Sequence, residues 1–283
     1  MTVGEALREA AARLAANSDT ARLDAELLMA HALGVSRSDL LLRHTRDAAP
    51  ELFAALVERR ATCEPVAYIV GRQEFYGLEF AVTPAVLIPR GDSEAVVRTA
   101  LAAAPDAARV LDLGTGSGAL LLAVLSELSG AEGIGVDASP AAVQVARSNA
   151  VSLGLAGRAA MRLADWTREG WADELGRFDL ILANPPYVED NAELDADVRD
   201  YEPASALFAG PEGLDDYRAI IPQLPQLLTE IGIAVLEIGA NQASAVCEIA
   251  HEHGFAAVAH KDLAGRDRAL ELRLRLGKGE SSS

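Results

Sequence analysis

Apolar residues recur at two different periods along the chain, and the change of period divides it. In residues 2–16, Val3, Leu7, Ala10, Ala11 and Leu14 share one helical face; in residues 21–33, Leu23, Leu27, Leu28 and Met29 repeat the pattern before Gly34, a residue suited to ending a helix. Ser38-Asp39 and Pro50-Glu51 read as starts of two further helices, so residues 1–75 predict a small helical bundle. Residues 65–90 change character. Tyr68-Ile69-Val70-Gly71 and the run from Glu74 to Val82 bring β-type residues punctuated by glycine, which fit a hairpin. Beyond Arg109, short apolar runs at 110–113, 134–137, 159–163, 178–183 and 234–238 alternate with helical patterns. One helix ends near Ala104 with Asp92 or Ser93 as its cap, one runs to Leu128, one starts at Ser139-Pro140, and two span 213–228 and 241–253. Alternation of this kind predicts a parallel sheet with helices on both faces. Residues 256–259 and 269–276 close it. In the second, Leu270, Leu272, Leu274 and Leu276 alternate with Glu271, Arg273 and Arg275, as expected of antiparallel strands with a solvated face. The division is then a helical domain over 1–75, a hairpin linker over 76–90, an α/β domain over 91–277 and a disordered tail over 278–283.

Candidate chemistry collects where strands end. Gly114-Thr115-Gly116-Ser117-Gly118 lies between a strand and a helix, so its glycines let backbone approach a ligand closely. Alone it also satisfies a dinucleotide fingerprint. Asp137 ends the next strand, where a carboxylate can accept both hydroxyls of a ribose, and Asp165-Trp166 after the third strand offers a carboxylate and a flat ring for a base. The fourth strand delivers Asn184-Pro185-Pro186-Tyr187. Pro186 has no N–H, so the peptide between the prolines presents only the Pro185 carbonyl, in a stiff direction. The Asn184 side chain adds a second acceptor. Two rigid acceptors suit one –NH2 group, and Tyr187 can pack against the flat system that carries it. The loop suits N-alkylation of a planar nitrogen with stabilisation of the charge that develops there. A hydride-transfer enzyme has no need of it; in-line methyl transfer from a sulfonium does.

Composition narrows the class. The net charge of −17 opposes a nucleic-acid partner, which calls for a basic patch. From Tyr187 to Glu202, seven acids face one base, Arg199, a run that reads either as a solvated flexible loop or as room for a basic protein partner. Cys63 and Cys247 are isolated, with no Cys/His cluster, which predicts neither disulfide framework nor metal. The first residues lack a secretion signal and no apolar run nears a membrane span, so a cytoplasmic protein is expected.

Taken together, these residues resemble the class I S-adenosylmethionine-dependent methyltransferases, and more narrowly the HemK/PrmC family of glutamine-N5 methyltransferases of peptide chain release factors. The resemblance runs over nearly the whole chain: Arg22-Leu23-Asp24-Ala25-Glu26-Leu27-Leu28 with His31-Ala32-Leu33-Gly34, Glu64-Pro65-Val66-Ala67-Tyr68-Ile69-Val70-Gly71, Glu74-Phe75-Tyr76-Gly77, Val86-Leu87-Ile88-Pro89-Arg90, the glycine loop, Asn184-Pro185-Pro186-Tyr187, Glu202-Pro203 with Gly213-Leu214, Leu236-Glu237-Ile238-Gly239 and Asp262-Leu263-Ala264-Gly265. Gly91 and Ser93 depart from it, where the family usually has proline and threonine. The resemblance implies a Rossmann-like, seven-stranded, mostly parallel sheet behind a helical substrate-recognition domain. It implies that Gly114, Thr115, Gly116, Ser117 and Gly118 hold the methionine part of S-adenosylmethionine, Asp137 the ribose, and that Trp166 lies near the adenine. Asn184 would touch donor and substrate, with Asn184, Pro185, Pro186 and Tyr187 gripping the glutamine amide of a Gly-Gly-Gln loop. A monomer acting on release factors, without metal, membrane or direct nucleic acid contact, is expected. Rival readings are a glutamine methyltransferase of a ribosomal protein, an adenine-N6 DNA methyltransferase acting on a flipped base, and a docking protein whose α/β domain is idle.

Overall fold

A computed structural model describes residues 1–275; the predicted disordered tail, and Leu276 at the end of the last predicted strand, lie outside the described residues. The chain clusters into two compact units, Met1–Arg72 with Leu194–Glu202, and Gln73–Glu193 with the chain from Pro203 onward.

The first unit is helical. Helix Val3–Leu14 starts at a capping box in which the Thr2 hydroxyl accepts from Glu5 N and the Glu5 carboxylate accepts from Thr2 N. Helix Ala21–Leu33 ends at Gly34, in the left-handed region. Its inward face differs from the expected stripe: Leu28 and Met29 are buried, but Leu23 and Leu27 are exposed while Asp24 and Glu26 are buried. The reason is pairing. Arg60, on helix Leu52–Ala61, donates to Asp24 at 2.7 Å with both side chains buried, and Arg22 and Arg37 cover Glu26. Ser36, two residues before the expected start, caps the following turn through Asp39 N. Residues 66–70, read as part of the hairpin, form helix Val66–Val70 instead, because Pro65 begins it, Ala67, Tyr68 and Ile69 are buried, and Gly71 ends it with positive φ. The acidic segment is ordered within this unit: helix Ala196–Tyr201 forms, the Tyr201 hydroxyl donates to Thr62 O at 2.8 Å, and Asp197 lies 3.8 Å from Arg60.

The second unit holds a hairpin, β1 (Arg72–Phe75) and β2 (Leu78–Ala81), turned through Tyr76 and Gly77, both with positive φ. Its seven-stranded sheet comprises β3 (Arg109–Leu113), β4 (Glu132–Asp137), β5 (Ala159–Leu163), β6 (Phe178–Ala183), β7 (Leu228–Glu237), β8 (Phe255–Lys261) and β9 (Asp267–Leu274), in the order β5-β4-β3-β6-β7-β9-β8. β3 to β7 are parallel; β9 is antiparallel to both neighbours. Alternate residues of the central strands feed two cores, Val110, Leu180, Leu182 and Val235 on one face, Leu111, Leu113, Ile181 and Leu236 on the other. The continuous apolar runs thus mark strands covered on both sides. The helix expected over 213–228 breaks into Asp215–Ile220, Ile221–Gln223 and Leu224–Leu227, since Pro222 and Pro225 lack the N–H that a continuous helix needs. Neither Asp92 nor Ser93 caps helix Glu94–Ala103; a 3-10 turn, Gly91–Ser93, leads into it and Asp92 is engaged by arginines instead. The chain leaves β3 toward β4 and β5, and returns beside β3 at β6, which creates a switch point at the carboxyl ends of β3 and β6.

Candidate active site

The switch point opens into a cavity of ≈ 640 Å³, and the loops after β3, β4 and β6 all reach it. Gly114, Thr115, Gly116, Ser117, Asp137, Trp166, Asn184 and Pro186 line it together; Gly118, Pro185 and Tyr187 do not. The glycine loop is tied down by its neighbours. Gly114 N and Thr115 N both donate to Val136 O at 2.9 Å, and Gly116 N donates to the Asp137 carboxylate at 2.9 Å. Gly114 is required twice over: its φ is +71°, and a Cβ there would come within 3.2 Å of the Trp166 ring. Ser139 N donates to the other Asp137 oxygen at 2.8 Å. Burial raises the Asp137 carboxyl above its ordinary range, against the lowering effect of those two N–H groups.

Trp166 is held by its Nε1, which donates to Asp216 at 3.1 Å, and by its carbonyl, which accepts from Gln223 Nε2 at 3.1 Å. Asp165 is spent on Thr167 and Arg168 and does not line the cavity; Asp216 lines it in its place. Sequence reasoning missed Asp216, and also Asp112, which sits within an apolar strand. Asp112 is 1% exposed, accepts from Thr115 Oγ1 at 2.7 Å through one oxygen, and among the described residues has no hydrogen-bond partner on the other. Burial, reinforced by the charge of Asp137, pushes its carboxyl up to about 7. A carboxylate interrupting a buried apolar run was the available signal. Asn149, also missed, donates to Ser117 O at 2.8 Å and pairs with both N and O of Ala81, joining β2 to the glycine loop.

Asn184 stands half-buried after β6, and its Nδ2 is 3.5 Å from the buried Ser93 hydroxyl, so its Oδ1 is left as the acceptor. The Tyr187 ring packs on the core beside β7. Its hydroxyl donates to Glu237 and accepts from Arg268, each at 3.2 Å, and its carbonyl accepts from Gln242 Nε2 at 3.0 Å. Burial first, then the Glu237 charge, raise the Tyr187 phenol well above its ordinary value, so it stays neutral. Among the described residues, no group of three or more His, Cys, Asp or Glu gathers as a metal site would require, and no helix is long and apolar enough to cross a membrane.

The orphaned Asp112 oxygen tests what the cavity fits. A buried acceptor without a donor calls for a cationic hydrogen-bond donor, and Asp112, Asp137 and Asp216 put three carboxyls around one cavity. The ammonium of S-adenosylmethionine is such a donor, and the three carboxyls also suit the positive charge of its sulfonium, which donates no hydrogen bond.

Comparisons with known proteins bear on the same elements. Residues 5–71 match the PrmC N-terminal domain family and residues 105–207 a methyltransferase domain family. The release factor glutamine methyltransferase of Geobacter sulfurreducens is 44% identical over 244 residues, 84% of each chain. Those of Cereibacter sphaeroides (43% over 281 residues, 97% of this chain and 99% of its own) and Moorella thermoacetica (42% over 285 residues, 95% and 98%) extend along nearly the full length. Among solved structures, ribosomal protein L11 methylase from Lactobacillus delbrueckii subsp. bulgaricus aligns with a TM-score of 0.50 at 23% identity, over 69% of this chain and 84% of its own. The hMettl16 catalytic domain in complex with MAT2A 3'UTR hairpin 6 aligns with a TM-score of 0.56 at 15% identity, over 78% and 83%. At those identities the likeness is one of fold.

Proposed function

The chain belongs to the release factor glutamine methyltransferase family, and from that premise we propose that it transfers a methyl group from S-adenosylmethionine to the side-chain amide nitrogen (N5) of the glutamine in the Gly-Gly-Gln loop of peptide chain release factors. Its seven-stranded sheet is the class I methyltransferase fold. The observation that carries the proposal is that Asn184 and the glycine loop line one cavity, which brings a donor site and an amide-accepting loop together.

In this reading Gly114, Thr115, Gly116 and Ser117, with Asp112, hold the amino-acid part of the donor, while Gly118, outside the cavity lining, turns the loop into the next helix; Asp137 holds the ribose, and Trp166, anchored by Asp216, flanks the base. The donor, when bound, supplies an electrophilic sulfonium methyl. The nucleophile is poor, because the amide lone pair is delocalised into the carbonyl. Asn184 Oδ1 and the Pro185 carbonyl each accept one amide hydrogen, which favours a pyramidal nitrogen and stabilises the positive charge that grows as the C–N bond forms. That C–N bond forms as the donor's S–CH3 bond breaks, with S-adenosylhomocysteine as the leaving group, and one of those hydrogens then leaves as a proton to solvent. Pro186 keeps the Pro185 carbonyl free of competing N–H, and Tyr187 fixes the end of the loop through its hydroxyl. Residues 1–75 serve as the substrate-recognition domain. We infer a monomer working in the cytoplasm without a metal; that it makes no direct nucleic acid contact is supported by the net charge of −17. Replacing Asn184→Ala tests the assignment: turnover falls about 100-fold or more while donor affinity changes by only a few-fold. Near-normal turnover removes Asn184 from the mechanism.

A further inference from the structure

Beneath the Asn184–Tyr187 loop lies more buried charge than the proposed chemistry uses. Arg268, on β9, is 7% exposed and does not line the cavity. Its Nη1 donates to the Tyr187 hydroxyl at 3.2 Å and to Ile238 O at 3.3 Å, and its Nη2 donates to Asp92 at 2.9 Å. Glu237, 1% exposed at the end of β7, accepts from the Tyr187 hydroxyl, lies 3.9 Å from Arg268 and sits beside the Ser93 hydroxyl. Among the described residues, Arg268 Nε and Glu237 Oε2 have no hydrogen-bond partner. A partly satisfied ionic network of this kind is no more stable than an apolar core of the same volume, so stability alone does not account for it.

What the network joins is informative. Tyr187 follows the prolines of the reactive loop; Asp92 precedes Ser93, whose hydroxyl is the group beside Asn184 Nδ2. One guanidinium therefore grips both segments that bracket Asn184. Arg266 Nη2 also donates to Asp92, at 3.0 Å, but its side chain is half exposed and, among the described residues, is not hydrogen-bonded to Tyr187, so the buried Arg268 is the cation that ties the Asp92–Ser93 segment, preceded by the flexible Gly91, to the reactive loop. Resting on the methyltransferase reading above, we propose that Arg268 is a positioning residue that clamps Tyr187 and Asp92 together and thereby sets the orientation of the Asn184 amide. A planar fork with five donors can hold both partners at once, whereas an ammonium on a flexible stem holds them less rigidly.

The test uses the full chain with Arg268→Met, Arg268→Lys, Tyr187→Phe and the double variant Arg268→Met/Tyr187→Phe. Arg268→Met and Tyr187→Phe each lower kcat about tenfold, with KM for release factor and donor affinity within about twofold; the double variant is no slower than the slower single one, and Arg268→Lys recovers part of the rate. Amide exchange at Tyr187 and Val188 quickens about tenfold in Arg268→Met, while amides of β6 keep their protection. Multiplying losses, a fall in thermal stability with kcat intact, or unchanged exchange at Tyr187 and Val188 overturns the proposal. If the wild-type protein fails to methylate release factor, the functional reading falls, and the exchange measurement still decides the clamp.

Discussion

Replacing Asp112→Asn removes a charge from the cavity without removing its shape, and its effect has a calculable sign. Below pH 3.8 the carboxyl is neutral in both folded and unfolded chains and costs nothing. As pH rises from 3.8 toward 7, the unfolded chain ionises while the buried carboxyl holds its proton, so the native state steadily loses stability; above about 7 the loss is constant. At 1.36 kcal/mol per pH unit, the interval from 3.8 to about 7 corresponds to a loss of about 4 kcal/mol. Asparagine mimics the protonated carboxyl and still accepts from Thr115 Oγ1. The ligand-free variant is therefore more stable than wild type at pH 8, by up to about 4 kcal/mol, with the difference closing toward pH 4. Donor binding moves the other way. An ammonium beside Asp112 favours the ionised carboxylate, so wild-type donor affinity rises about tenfold from pH 5.5 to 7 with release of a proton, and Asp112→Asn flattens that rise. Urea unfolding across pH and calorimetry in two buffers of different ionisation enthalpy read both effects. A wild-type affinity flat with pH, or a variant that keeps the slope, refutes the role given to Asp112.

Three further substitutions probe the scaffold. Gly213 has φ +65°, and a Cβ there would lie 2.3 Å from Tyr187 O, so Gly213→Ala costs about 1–3 kcal/mol in denaturant unfolding and slows turnover by displacing the reactive loop. Arg60→Met strips the buried Asp24 of its ion partner and destabilises the helical unit by about 3 kcal/mol, read as an earlier urea transition; an unchanged midpoint contradicts the argument. Gly91→Pro fits the first position of a 3-10 turn after an extended Arg90 and raises stability by about 0.4–1 kcal/mol, whereas a lower melting temperature means the site does not tolerate proline.

Strands and the loops that meet at the cavity are legible because punctuation marks them: glycines after β3, Asp137 at the end of β4, and Asn184 with Pro186 after β6 all stand at strand carboxyl ends and line it together. What escaped depends on contacts between distant segments. The inward turn of Asp24 is set by Arg60, the anchoring of Trp166 by Asp216 rather than the adjacent Asp165, and the surroundings of Asn184 by Ser93, none of which periodicity records. Val66–Val70 carries β-type residues yet is helical because burial of Tyr68 and Ile69 outweighs local preference. The acidic run reads as a loop or docking face, whereas its helix Ala196–Tyr201 is held by contacts to the distant Thr62 and Arg60.

The central claim is tested most directly by methyl transfer from labelled S-adenosylmethionine to purified release factor, ribosomal protein and duplex DNA side by side, with the modified residue located by mass spectrometry. Label on the glutamine of the release factor's Gly-Gly-Gln loop is the predicted result. Label only on the ribosomal protein or the DNA, or none despite donor binding, contradicts it.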